Sequence, residues 1–187
     1  MTLKDFSERV AHYCDEAQVE NEDYFFTVLG GVLFEIAERF PEVSYTTVTI
    51  EGDSQTTVKM SSIVQDFASF SFPPLRANGE YLPDGCATFD TRLGEVIFPA
   101  GTRGTAEIFY NRALKRPDRD DFEQDEAIPL SDEKVELAIL LAAYRLLVID
   151  EDKKASAIKV LYDEAAYRLA ERGTGVLCGF RSVDGWA

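Results

Sequence analysis

The chain offers one histidine, His12, and three cysteines, Cys14, Cys86 and Cys178, as candidates for acid–base, nucleophilic or metal chemistry. A histidine base needs a nucleophile within hydrogen-bond reach and a third group to orient it. His12 stands on a short helical pattern with no HExxH or HxH around it, which reads as a surface or half-buried position. The cysteines are odd in number, far apart and without a CxxC, so neither a disulfide framework nor a zinc site is indicated. Free thiols fit a reducing compartment. No serine lies in GxSxG. GGVLFE at 30–35 sits inside a helical period and lacks the lysine of a phosphate loop, and GTRGTAE at 101–107 reads as a hairpin turn. The acids Asp118, Asp120, Asp121, Glu123, Asp125 and Glu126 crowd together but lack the glycine and terminal glutamate of an EF-hand loop. They read as a solvated or partner-facing strip. Arg112, Lys115, Arg116 and Arg119 form the basic cluster; they could hold a phosphate, but fit better against acidic strips of this chain or a neighbour. Spacing singles out no carboxylate pair for glycoside hydrolysis. The expectation is a protein with no catalytic residue, no metal and no cofactor.

The elements that would position such groups follow from composition and period. At 187 residues, 45% hydrophobic and 28% charged, the chain is long enough to bury a sizeable core. Its net charge of −15 is uneven. Residues 1–42 hold ten acids against three bases, and residues 118–149 nine against three; residues 43–117 are nearly balanced, with eight against seven. Such a surface does not bind DNA electrostatically, because phosphate contacts need Lys and Arg. The N-terminus is charged from Lys4 onward and has no apolar h-region, so no signal peptide is expected. The apolar run at 137–144 is too short to span a bilayer.

Phe6, Val10 and Tyr13 recur at helical spacing over 3–14, with Thr2 placed as the cap. A second helix is predicted from about Asp23 to Arg39, with Gly30 and Gly31 inside it permitting close packing or a kink, and Pro41 ending it. The period then changes to two. Tyr45, Val48 and Ile50 alternate with threonines over 44–52, and a Gly52–Asp53 turn leads into 54–60, which predicts a hairpin. Further strands are predicted at 63–70, 86–89, 95–98 and 105–110, and 73–85, with three prolines, reads as a loop crossing between sheets. Ser131 or Asp132 caps a helix to about Ile149, Asp150–Glu151–Asp152 make a turn, and a last helix carries Ile158, Leu161, Ala165 and Leu169 on one face until Gly173 stops it near Arg172. Ala155, Ala157, Ala165 and Ala166 would bring these two helices close together. The predicted fold is α+β: a helical bundle, with helices near both termini, and an inserted small antiparallel β-sandwich or barrel. It is one domain, with a helical frame of 1–42 and 128–172, a β-insert of 43–117, an acidic linker of 118–127 and a flexible tail of 173–187.

Three stretches carry a family likeness: LFEIAERFPEVSYTTVTI at 33–50, the passage from AEIFYNRALKRP to AIPL over 106–130, and ELAILLAAYRLLVIDEDKKASAIKVLYDEAAYRLA at 136–170. With these the chain resembles the head-to-tail adaptor (connector, or neck) proteins of tailed bacteriophages, over somewhat under half its length. Its insert is larger than that of the most compact, purely helical adaptors. The resemblance implies a homo-oligomeric ring, commonly of twelve copies, between the portal and the tail or nozzle protein of the virion. It also implies a lumen that passes duplex DNA without tight binding, and neither catalysis nor a membrane. The protein would be made in the host cytoplasm. The glycine-rich end matches a terminus that docks on the portal or a neighbour, through Phe180, Arg181, Trp186 and Ala187. Asp118, Asp120, Asp121, Glu123 and Asp125 would face the channel. Two other classes remain open. A β-sandwich in a helical frame could bind carbohydrate or peptide, which exposed Trp or Tyr in the insert would favour; an enzyme could use carboxylates that no motif marks.

Overall fold

Helix-period and strand-period stretches occupy separate parts of this sequence, so helices and sheets form separate units instead of alternating. The computed structural model describes residues 1–14, 19–77, 80–81, 85–123, 126–148 and 152–181, of which the side chains of Pro73, Tyr81, Asp152 and residues 172–181 are not described. The fold is α+β, with helices and antiparallel sheets. The chain divides into two compact units, Met1–Arg39 with Lys115–Ala187, and Phe40–Leu114.

The first unit is helical. Helix α1 spans Leu3–Ala11 and opens on a capping box, in which the Thr2 hydroxyl accepts from the Asp5 N–H at 3.2 Å and the Asp5 carboxylate accepts from the Thr2 N–H at 3.3 Å. Helix α2 spans Glu22–Arg39 and buries Phe25, Leu29, Val32, Leu33, Ile36 and Ala37. A short helix α3, Arg119–Glu123, stands where the sequence reads as an irregular acidic linker. Helix α4 spans Asp132–Leu147, and its buried residues, from Val135 to Leu147, lie around most of its circumference. A helix apolar on nearly all sides is a central one; α4 packs against α1, α2 and the last helix, α5, Asp152–Arg181. The N-terminal backbone is also tied to the segment before α4: Leu3 N–H donates to Glu126 O at 2.9 Å and Ile128 N–H to Met1 O at 3.0 Å.

Two expectations about α5 are corrected. Its buried stripe is Ala155, Ile158, Tyr162 and Ala166, not the face through Leu161 and Leu169. Leu161 is exposed, and so is Ala157. A bulky Tyr162 replaces Leu161 at the contact because its hydroxyl finds a partner, the Arg39 guanidinium at 3.0 Å, while its ring stays buried. Ala143 and Leu147 of α4 meet Ala155 and Ile158, and the alanine on each helix lets the axes approach. The helix also runs through Gly173 to Arg181. A glycine inside a helix costs about 1 kcal/mol against alanine but does not forbid it.

The second unit holds seven strands among the described residues: β1 (Val43–Ile50), β2 (Thr56–Lys59), β3 (Phe67–Ala77), β4 (Glu80–Tyr81), β5 (Thr88–Asp90), β6 (Glu95–Phe98) and β7 (Gly104–Arg112). One sheet has the order β1-β7-β3-β4 and the other β2-β6-β5, and every pair is antiparallel. Ile50, Leu75, Ala106, Ile108 and Tyr110 of the first sheet share one core with Val58, Met60, Val96 and Phe98. The hairpin predicted across Gly52–Asp53 does not form. β1 pairs along its whole length with β7 and β2 pairs with β6, so the chain changes sheet at Gly52, whose φ of 86° suits glycine and whose carbonyl accepts from the Gly101 N–H at 2.9 Å. Placing consecutive strands in different sheets lets each present its apolar face to the common core. Tyr45 is corrected too. Strict period two puts it on the face opposite Val48 and Ile50, and it is 54% exposed. The stretch predicted as a crossing loop is strand as far as Ala77, with Pro73 and Pro74 accommodated where the β3–β7 register shifts between Phe70 and Leu75.

Asp66 ties the start of β3 to the end of β7. Its carboxylate accepts from the Tyr110 hydroxyl at 3.1 Å and from the Arg112 guanidinium, and its carbonyl accepts from the Ala113 N–H at 2.6 Å. Burial pushes this carboxyl up, but the hydrogen bonds from Arg112 and Tyr110 outweigh burial and hold it below the ordinary value of 3.8. A lowered folded-state value stabilises the fold fully above the unfolded value, and that stabilisation is lost as pH falls through the folded value. Asp66→Ala is therefore expected to cost about 1–2 kcal/mol at neutral pH. Urea unfolding of variant and wild type at descending pH should show the gap closing below about pH 4; a gap independent of pH would assign the cost to packing.

Candidate functional site

The acidic strip is built on α3. Asp118 precedes this helix and Asp121 lies in its first turn, so each carboxylate can reach the other's amide. The Asp121 N–H donates to the Asp118 carboxylate at 3.2 Å, and the Asp118 N–H to the Asp121 carboxylate at 3.0 Å. That bond from the Asp118 amide, with Lys115 at 3.4 Å, holds the Asp121 carboxyl below its ordinary value. Phe122, on the opposite side, is buried and anchors the helix between Phe6, with ring centroids 6.5 Å apart, and Phe26, at 5.3 Å. The apolar anchor turns the carboxylates outward: Asp118, Asp120 and Glu123 are exposed and Asp121 is half-buried. Of the five residues expected to face a channel, Asp118 and Asp121 thus also cap a helix, and Asp125 lies outside the described residues.

The basic cluster meets acids of its own chain. Arg119 reaches Glu22, Asp23 at 3.1 Å and Glu123 at 3.9 Å. Arg112 pairs with Asp66 and Lys115 with Asp121. Arg116 donates instead to the Thr27 carbonyl at 3.1 Å. A cleft of about 360 Å³ opens beside α2, between Asp23, Phe26, Thr27, Arg116, Pro117 and Arg119. The carboxylate partners of Arg112, Lys115 and Arg119 lower the capacity of these three to hold a phosphate.

His12 lines an open groove of about 540 Å³ with Asp5, Glu8, Arg9, Asp132 and Glu136. Arg9 and Glu136 form a two-pronged pair across it, the second contact at 2.8 Å, and this bond, despite some burial, raises the arginine's pKa. The groove joins α1 to α4, and its described lining holds no serine, threonine, cysteine or lysine. Among the described residues no cluster of three or more His, Cys, Asp or Glu could hold a metal ion. Cys14 and Cys86 are half-buried.

The surfaces that the sequence did not reveal are apolar. On α5, Val160 and Tyr167 lie seven residues apart on the side away from Ile158 and Tyr162, and Leu161 lies nearer the edge of the buried stripe. They are 57%, 64% and 51% exposed. Lys159–Asp163 at 2.6 Å and Arg168–Glu164 at 3.2 Å border them. On the outer face of the four-stranded sheet Tyr45 packs on Phe109 with centroids 5.6 Å apart, and Arg76 lies over Phe109 at 5.3 Å while pairing with Glu107. Residue parity would have placed Tyr45 there; the exposed side of α5 could not be known before its buried side. Phe180 and Arg181, expected as docking residues, fall in the last turn of α5, and Trp186 and Ala187 lie outside the described residues.

No protein-family model matches this chain, and no curated protein sequence matches it. No helix among the described residues is long and apolar enough to cross a membrane.

Proposed function

We propose that this chain is a structural virion protein without catalytic activity, a head-to-tail adaptor whose copies form a ring between portal and tail around the DNA channel. The observation that carries the reading is the exposed apolar groups of α5, Val160 and Tyr167 on its outward side and Leu161 at the edge of its buried stripe, in a strongly acidic helical unit. Exposed apolar groups on a packed helix suit a neighbouring protein surface, and a ring needs two different complementary patches on each subunit. The helical unit carries twenty-five acids against fourteen bases, which suits a wall that must pass duplex DNA without retaining it. The resemblance at 33–50, 106–130 and 136–170 points the same way. Phe180, Arg181, Trp186 and Ala187 are proposed to reach the portal or a neighbouring subunit.

Mass photometry of the purified chain, alone and with a portal protein, tests the ring directly. The channel-facing assignment has its own test. Replacing Asp120, Glu123 and Asp125 with lysine, and sparing Asp118 and Asp121 for their reciprocal cap, is expected to leave folding intact, since exposed charges contribute little individually. The assembled variant should bind duplex DNA, with affinity falling steeply in salt as each phosphate contact releases counterions. DNA affinity equal to wild type at low salt would show that the strip faces away from the lumen.

A second reading has one observation in its favour. Tyr45 and Phe72 are exposed on the β-unit, as a carbohydrate- or peptide-binding face would require. Saturable calorimetric binding of an oligosaccharide by the full chain, lost in Tyr45→Ala, would favour it.

A further inference from the structure

β1 is the outermost strand of the four-stranded sheet and uses one of its two edges. In an antiparallel ladder, residues that exchange both N–H···O bonds with the partner strand alternate with residues whose amide and carbonyl point the other way. The phase is fixed one step before β1. The Arg112 N–H donates to the Glu42 carbonyl at 2.8 Å, and Glu42 and Arg112 continue the register Val43↔Asn111. Ser44, Thr46, Val48 and Ile50 therefore bond to β7, and the amides and carbonyls of Val43, Tyr45, Thr47 and Thr49 point away from the sheet. No described residue hydrogen-bonds to this outer edge, and the same four residues have exposed side chains.

Edge strands are usually blunted by shortness, a charge, a proline or a bulge. The other edges here follow that rule: β4 is two residues long, β2 is four and ends in Lys59, and β5 is three and ends in Asp90. β1 is eight residues long, in unbroken register with β7, and contains no charge, proline or glycine.

We infer that β1 pairs antiparallel with β1 of a second copy of this chain, joining two four-stranded sheets across a two-fold axis. Charge leaves this edge, unlike the rest of the surface, open to a second copy. At a net −15 two copies repel almost everywhere, but the β-unit holds nine acids against five bases and β1 itself none. The strand is also self-complementary. A two-fold axis at Thr46 sets Tyr45 opposite Thr47 and Val43 opposite Thr49, so every outward residue meets another, and Thr46 faces its own copy. That register supplies about eight backbone hydrogen bonds and extends the row begun by Phe109 and Tyr45 across the joint. The contact is isologous, and it does not depend on the ring reading, which needs a heterologous one.

Sedimentation velocity and amide hydrogen exchange on the full chain, at about 1 and about 100 µM, test this. The expected result is a dimer at the higher concentration, with the amides of Val43, Tyr45, Thr47 and Thr49 newly protected there and those of Ser44, Thr46, Val48 and Ile50 protected at both. Thr47→Pro removes an outward N–H without touching a bond to β7, and Tyr45→Lys adds a charge without altering the backbone. Each should weaken association about tenfold or more while the inward amides stay protected, which shows that the strand is intact. A monomeric wild-type chain at the higher concentration, an oligomer whose outward amides stay unprotected, or association unchanged in both variants would overturn the inference.

Discussion

Gly30→Ala is expected to destabilise the helical unit by about 3 kcal/mol, although alanine is the better helix former by about 1 kcal/mol. Gly30 lies in α2 with no left-handed backbone to explain it, and the cause is proximity: a Cβ there would stand 2.2 Å from the Pro117 carbonyl oxygen and 3.3 Å from its carbon. Both are backbone atoms, so the clash cannot be relieved by a rotamer change. The segment leading into α3 would have to shift, and Phe122 would lose its place between Phe6 and Phe26. The adjacent position is the control. A Cβ at Gly31 would meet the end of the Arg116 side chain at 3.3 Å, which can swing aside. Gly31→Ala is expected to be neutral or to stabilise by about 0.5 kcal/mol. Urea midpoints for the two variants decide between close approach and mere helix propensity. If both move the same way by the same amount, the Pro117 contact is not what keeps Gly30.

Leu147→Ala should cost about 3 kcal/mol, and Leu161→Ala less than about 0.5 kcal/mol. Leu147 is fully buried where α4 meets Ala155 and Ile158 of α5, so truncation leaves a cavity that a rigid helix pair closes poorly. Leu161 is 51% exposed on the same helix. Denaturation of the two single variants measures the difference. Their assembly should rank in the opposite order: Leu161→Ala should weaken oligomer formation by mass photometry, and Leu147→Ala should not where it remains folded. A cost above about 2 kcal/mol at Leu161 would mean that α5 buries that face within one chain.

Several features were legible because they depend only on neighbours in sequence. Period fixed α1, α2, α4 and most of α5 as helices, and alternation fixed β1, β6 and β7 as strands. Thr2 was placed as the cap of α1 by its position just before the apolar period. The clustering of acids in the helical parts is a property of composition alone, as is the absence of charge from β1. Gly30 and Gly31 stood out together inside a helical period, as permitting close packing or a kink, and only the Pro117 carbonyl singles out Gly30 as the close approach.

What the sequence left open are choices between partners distant in the chain. A turn at Gly52–Asp53 is as consistent with a hairpin as with a change of sheet; the shared core of β1, β7, β2 and β6 decided for the latter, because two strands paired to each other would each leave an apolar face without a second layer. Leu161 and Tyr162 are equally plausible core residues by period, and only Arg39, far away along the chain, gives the tyrosine hydroxyl the bond that permits its burial. The acidic stretch looked irregular because five residues show no period; Phe122, seated between two distant phenylalanines, makes them a helix. Local chemistry thus determined which elements exist and where charge resides, while tertiary packing decided which face of each element is core and which is left for a partner, since burial depends on what lies opposite.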